Sequence, residues 1–111
     1  MKKMWFAALA LGGLASAPAM AQSVPVGVYD CFGDIGKFSV VGPGTYMARN
    51  GGTGHFSFDG HTLTMTDGTS EGLSYRLVGP NWDFGLLRDN GSVSNTCPRS
   101  TTKDPRDPAH W

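Results

Sequence analysis

His55-Phe-Ser-Phe-Asp-Gly-His-Thr-Leu-Thr-Met65 decides how this chain is read. Asp59-Gly60 is a favoured dipeptide for a two-residue type I′ turn, so the stretch predicts a β-hairpin with Phe58 opposite His61 and Phe56 opposite Leu63. Side chains alternate along a strand. That register puts Phe56, Phe58, Leu63 and Met65 on one face and His55, Ser57, Thr62 and Thr64 on the other. A one-residue slip would scramble both faces, so their joint appearance argues for a half-buried antiparallel sheet.

Turn chemistry punctuates the chain on either side of the hairpin: Gly33-Asp-Ile-Gly36, Gly42-Pro-Gly44, Asn50-Gly-Gly52, Asp67-Gly68, Gly79-Pro-Asn81 and Asp89-Asn-Gly91. The runs between are about five to eight residues long, the length of strands rather than helices. Phe38 and Val40, then Leu73, Tyr75 and Leu77, then Trp82, Phe84 and Leu86 supply further core candidates. A meander with one apolar face must roll up or stack, and rolling also removes exposed edges. The expectation is an all-β chain of about seven or eight short antiparallel strands, forming a small barrel or, second to that, a sandwich.

The ends of the chain place it. Lys2 and Lys3, an apolar run and Ala19-Met20-Ala21 have the order of a secretory signal peptide over residues 1–21, cleaved before Gln22. The expected product is periplasmic or secreted, with no membrane anchor after cleavage. Its one β domain spans 22–97, and a flexible, proline-bearing tail follows at 98–111. Nine basic and nine acidic residues balance over the chain, and loss of Lys2 and Lys3 leaves the mature part about two charges negative, without a nucleic-acid footprint.

Cys31 and Cys97 are the only cysteines. In an oxidising compartment an even pair near the two ends of a small domain reads as a disulfide. A reactive thiol would want basic neighbours, whereas Asp30 and Asp34 flank Cys31.

A search for chemistry yields little. His55 and His61 fall on opposite faces of the expected hairpin, so no metal site is assigned. Gly51, Gly52 and Gly54 lack the lysine and helix of a phosphate loop. Asp30, Asp34, Asp59, Asp67, Asp83 and Asp89 sit mostly where aspartate serves turns, and no spacing selects a glycosidase pair. No catalytic residue and no cofactor is assigned. Glycine-rich loops on a stapled scaffold, with Tyr46, Arg49, Arg76 and Arg88 as exposed candidates, suit binding through loops or a barrel mouth.

Tyr29-Asp-Cys31, Phe56–Met65 followed by Gly68-Thr-Ser-Glu-Gly-Leu-Ser-Tyr75, and Ser94-Asn-Thr-Cys97 resemble the membrane-bound and periplasmic C-type lysozyme inhibitors. The resemblance implies an eight-stranded antiparallel barrel with paired cysteines and an inhibitory loop of the form Ser-Gly-x-x-Tyr, assisted by a Lys-Gly loop. Here Glu71 stands where that serine belongs, and Asn81–Asn90 contains no lysine, so Arg76 or Arg88 would have to supply the cation. A carboxylate facing the acidic cleft of lysozyme repels. The same opening is similar to that of many small exported bacterial proteins. The candidate binding loop is Glu71, Gly72, Ser74, Tyr75 and Arg76. The expected function is a non-enzymatic binding protein for an unknown protein or cell-envelope ligand. Lysozyme inhibition, a cell-envelope hydrolase and a structural envelope component are the alternatives.

Overall fold

A computed structural model describes residues 24–111; the signal peptide expected at 1–21 lies outside them. The described residues form nine strands: β1 (Gly27–Tyr29), β2 (Phe38–Gly42), β3 (Thr45–Ala48), β4 (Thr53–Phe58), β5 (Thr62–Met65), β6 (Ser74–Leu77), β7 (Phe84–Leu87), β8 (Val93–Cys97) and β9 (Arg99–Ser100). Each pairs antiparallel with its neighbour in the order β8-β7-β6-β5-β4-β3-β2-β1-β9. The result is the expected all-β, nearly closed antiparallel barrel.

Two strands do the closing. Thr53, Gly54 and His55 of β4 pair with β3, while Phe56, Ser57 and Phe58 pair with β5. At the opposite seam β8 pairs with β7, and after Pro98 the same run of chain pairs with β1 through Tyr29↔Arg99 and Val28↔Ser100. Pro98 has no N–H to give, and its carbonyl accepts the amide of Asp30 at 2.8 Å. β8 and β9 thus act as one strand that leaves the last partner for the first. The Cys31–Cys97 disulfide sits at this seam.

The β4–β5 hairpin keeps its expected faces and changes its register. Phe58 opposes Leu63 and Phe56 opposes Met65, two positions from expectation. The Asp59 carboxylate accepts the amides of His61 (2.9 Å) and Thr62 (2.8 Å), which turns the two-residue loop into a longer one. A shift of two preserves the alternation, so Phe56, Phe58, Leu63 and Met65 are all buried.

The core is aromatic. Tyr29 stacks on Phe38 (4.9 Å between ring centroids), Phe38 meets Tyr75 (4.7 Å), and Phe84 packs edge-on against Tyr29 and Phe58. Tyr46, expected on the surface, is buried as well. The phenols of Tyr29 and Tyr75 donate to the carbonyls of Pro25 (2.7 Å) and Gly36 (2.6 Å), which is what lets tyrosine occupy this interior.

The segment expected to be a flexible tail differs most. Arg99–Ser100 is strand, and residues 103–108 cross the outside of β1 and β2: Ser39 Oγ donates to the Pro105 carbonyl, Arg106 Nη2 to the Val41 carbonyl (3.0 Å), and Lys103 Nζ meets Asp30 at 2.5 Å. Val28, Ser39 and Val41 are buried although they lie outside the core cluster. Trp111 folds back, its indole N–H donating to the Asp104 carbonyl at 2.7 Å.

Candidate functional site

Since every neighbouring pair is antiparallel, the connections β1–β2, β3–β4, β5–β6 and β7–β8 share one end of the barrel. That end carries the candidate loop. Residues 66–73 between β5 and β6 are held by their own backbone: the amides of Gly72 and Met65 donate to the carbonyls of Met65 and Leu73, and Glu71 N donates to Gly68 O.

Tyr46 anchors this loop from below. Its hydroxyl donates to the Asp67 carbonyl (2.7 Å) and accepts the Ser70 amide (2.9 Å). The approach requires glycine at 54, where a Cβ would stand 2.4 Å from the Asp67 carbonyl and 2.7 Å from the Tyr46 ring. On the outside, the Asp67 carboxylate accepts the His55 amide at 2.8 Å and meets the His55 ring at 3.1 Å. The backbone hydrogen bond, then the ring, hold the Asp67 carboxyl below its ordinary range.

The fold separates the five residues of the candidate loop. Glu71 and Gly72 are exposed at the tip and Ser74 is half-buried, but Tyr75 points into the core and Arg76 lies on the outer wall between Thr62 and Gly85. Burial raises the Tyr75 phenol well above its ordinary range, which leaves it a structural hydrogen-bond donor.

What the fold adds is the β7–β8 turn. Gly72, Leu73 and Ser74 form one wall of an open groove of about 370 Å³, and Leu87, Arg88, Asp89 and Gly91 form the other. Arg88 Nη1 is braced on its own turn, donating to Ser92 Oγ (3.1 Å) and the Val93 carbonyl (3.2 Å). Its Nε and Nη2 have no protein partner among the described residues. Of the exposed arginine candidates, Arg88 alone lines this groove; Leu87 and Asp89 carry no signal in the sequence beyond their place at a turn.

A second cluster lies beside the β1–β2 loop. Lys37, its side chain 4% exposed, reaches Asp30 at 2.8 Å and Asp34 at 2.6 Å. Lys103 also meets Asp30, and Arg49 meets Asp34 at 3.0 Å. Hydrogen bonds from Lys103 and then Lys37 depress the Asp30 carboxyl, and those from Lys37 and then Arg49 depress that of Asp34. Burial of Lys37 opposes its charge, but the two carboxylates outweigh this and its ammonium is held more firmly than usual.

Asp30 and Asp34 are therefore the one pair of flanking acids that the fold gathers, and both are fixed in the ionised form. A glycosidase pair needs one carboxyl that keeps a proton at neutral pH. The asparagine at 95 locks the same loop, donating from Nδ2 to the carbonyls of Phe32 (2.5 Å) and Ile35 (3.2 Å). Among the described residues no three or more His, Cys, Asp or Glu side chains converge as metal ligands would. Compared with known protein families, curated proteins and solved structures, the chain matches none.

Proposed function

We propose that this is an exported, non-enzymatic binding protein that meets a protein or cell-envelope ligand at the loop end of its barrel. The observation that carries this reading is the groove between Gly72–Ser74 and Leu87–Asp89. Both walls are turns braced by their own hydrogen bonds, so a ligand would meet a surface that needs little ordering. Arg88 offers free N–H groups for a polar or anionic contact, and Leu73 and Leu87 offer apolar area beside it.

The test incubates purified residues 22–111 with soluble muropeptides, following both binding and turnover. Retention without turnover is the expected result. Hydrolysis abolished by substitution of a single carboxylate would overturn the reading.

One arrangement favours lysozyme as the partner: Arg88 borders the same groove as Gly72 and Ser74, where the resemblance calls for a cation beside the inhibitory loop. Glu71 at the exposed tip opposes it. If lysozyme is the partner, excess protein suppresses lysis by chicken-type lysozyme, and Glu71→Ser strengthens the suppression. Undiminished lysis by both forms would remove lysozyme from consideration.

A further inference from the structure

A second groove at the same end, of about 260 Å³, lies between the β1–β2 loop, the β3–β4 turn and the β5–β6 loop. Its polar lining is donor-rich, with one carboxylate, that of Asp34, paired to Lys37 and Arg49. Arg49 is half-exposed and meets Asp34 through Nη1. Asn50 uses Oδ1 to accept the Gly52 amide, which leaves its Nδ2 as a donor. The hydroxyls of Thr69 and Ser70 complete the wall. Among the described residues, the Asn50 Nδ2 and these two hydroxyls have no hydrogen-bond partner.

Two further observations point the same way. The β3–β4 turn makes room for Thr69: a Cβ at Gly52 would fall 2.0 Å from Thr69 Oγ1, so only glycine leaves the hydroxyl in place. The ion cluster, of which Asp34, Lys37 and Arg49 line the groove while Asp30 and Lys103 lie outside it, is also unbalanced, with Lys37, Arg49 and Lys103 set against only Asp30 and Asp34. One positive charge is left over, and a partly enclosed surface concentrates its field.

We propose that this groove binds an oxyanion, a carboxylate or phosphate group, held by the Arg49 guanidinium with the Asn50 amide and the Thr69 and Ser70 hydroxyls donating to its oxygens. The site takes its ligand independently of the Arg88 groove, from which it is separated by the 66–73 loop. A bound carboxylate brings the cluster to three positive and three negative charges, and a phosphate supplies at least as much negative charge. Either oxyanion also pairs donors that now face solvent.

The experiment is an amide-shift NMR titration of residues 22–111 at constant ionic strength, with inorganic phosphate in one arm and N-acetylalanine in the other. Saturable shifts at Asn50, Gly51, Thr69 and Ser70 are expected. Saturation by phosphate alone, by N-acetylalanine alone or by both identifies which oxyanion the site takes.

Arg49→Ala should weaken binding about tenfold, the scale of one lost charge-assisted hydrogen bond. Thr69→Val should weaken it without removing charge. Asp34→Asn should tighten it, because a nearby negative charge goes while asparagine still tolerates the left-handed backbone of φ 65° at that position. Arg88→Ala should leave it unchanged, which separates this site from the proposed function. Shifts that grow linearly without saturation, an unaltered constant in Arg49→Ala, or weaker binding in Asp34→Asn would overturn the proposal.

Discussion

Ser39 donates its hydroxyl to the carbonyl of Pro105 across 2.6 Å, tying the middle of β2 to a segment 66 positions further along the chain. With Arg106 on the Val41 carbonyl and Lys103 on Asp30, it makes the C-terminal segment a cover for the outer face of β1 and β2. Ending the chain after Ser100 should expose Val28 and Val41, which are now buried. Such a truncation should lower stability by about 3 kcal/mol, read from the denaturant midpoint. An unchanged midpoint would mean that the segment covers nothing that matters.

The Cys31–Cys97 bond closes a span of 66 positions at the barrel seam. Replacing both cysteines with serine should cost roughly 4 kcal/mol in the chain-entropy account, seen as a lower melting temperature. A thiol reagent should label neither residue in the denatured, unreduced protein.

Acid and alkali should act through different residues. The Asp30 carboxyl is depressed, chiefly by Lys103 and then Lys37, so its contribution is complete above the unfolded value of about 4 and fades as pH falls through the folded one. Stability should be level from neutral pH to about pH 5 and fall below about pH 4, with a shallower fall in Asp30→Asn. Tyr29 and Tyr75 are raised, mainly by burial, so their contribution is complete below about pH 10 and is lost as pH climbs. Tyrosinate absorbance should therefore appear together with unfolding for these two residues.

Gly54→Ala places a methyl group against the Asp67 carbonyl and the Tyr46 ring. A loss of about 3 kcal/mol is expected from the forced shift, within the range of overpacked sites. Shifted amide resonances across residues 66–73 should accompany it. Tyr46→Phe, which removes only the hydroxyl, should disturb the same loop with a smaller loss of about 1 kcal/mol.

The parts legible in the sequence were those carried by alternation and count. Phe56, Phe58, Leu63 and Met65 share a face because a two-residue shift leaves alternation intact, so the error over Asp59 did not reach the core. The cysteine pair needed only the compartment and an even number. The docking of residues 98–111 is not legible, because it runs through backbone carbonyls of Pro98, Pro105 and Val41, which every residue type has, and through a Lys103–Asp30 pair that no spacing selects. Alternation marks Tyr75 as a core residue, but the burial of Tyr46 is not legible, because the acceptor of its hydroxyl is likewise a backbone carbonyl. Gly72 and Ser74 of the predicted binding loop line the groove, but it also needs Arg88, which is brought beside them by the β6–β7 pairing.

If the proposed ligand binds at the loop end, the groove that Arg88 borders carries the contact. The most direct measurement compares the affinities of wild type, Arg88→Ala and Arg76→Ala for soluble muropeptides and for chicken-type lysozyme. Arg76 lies on the outer wall and serves as the control. The prediction is that Arg88→Ala weakens binding about tenfold while Arg76→Ala leaves it unchanged. Equal effects from the two substitutions, no effect of Arg88→Ala, or no binding of either probe would contradict it.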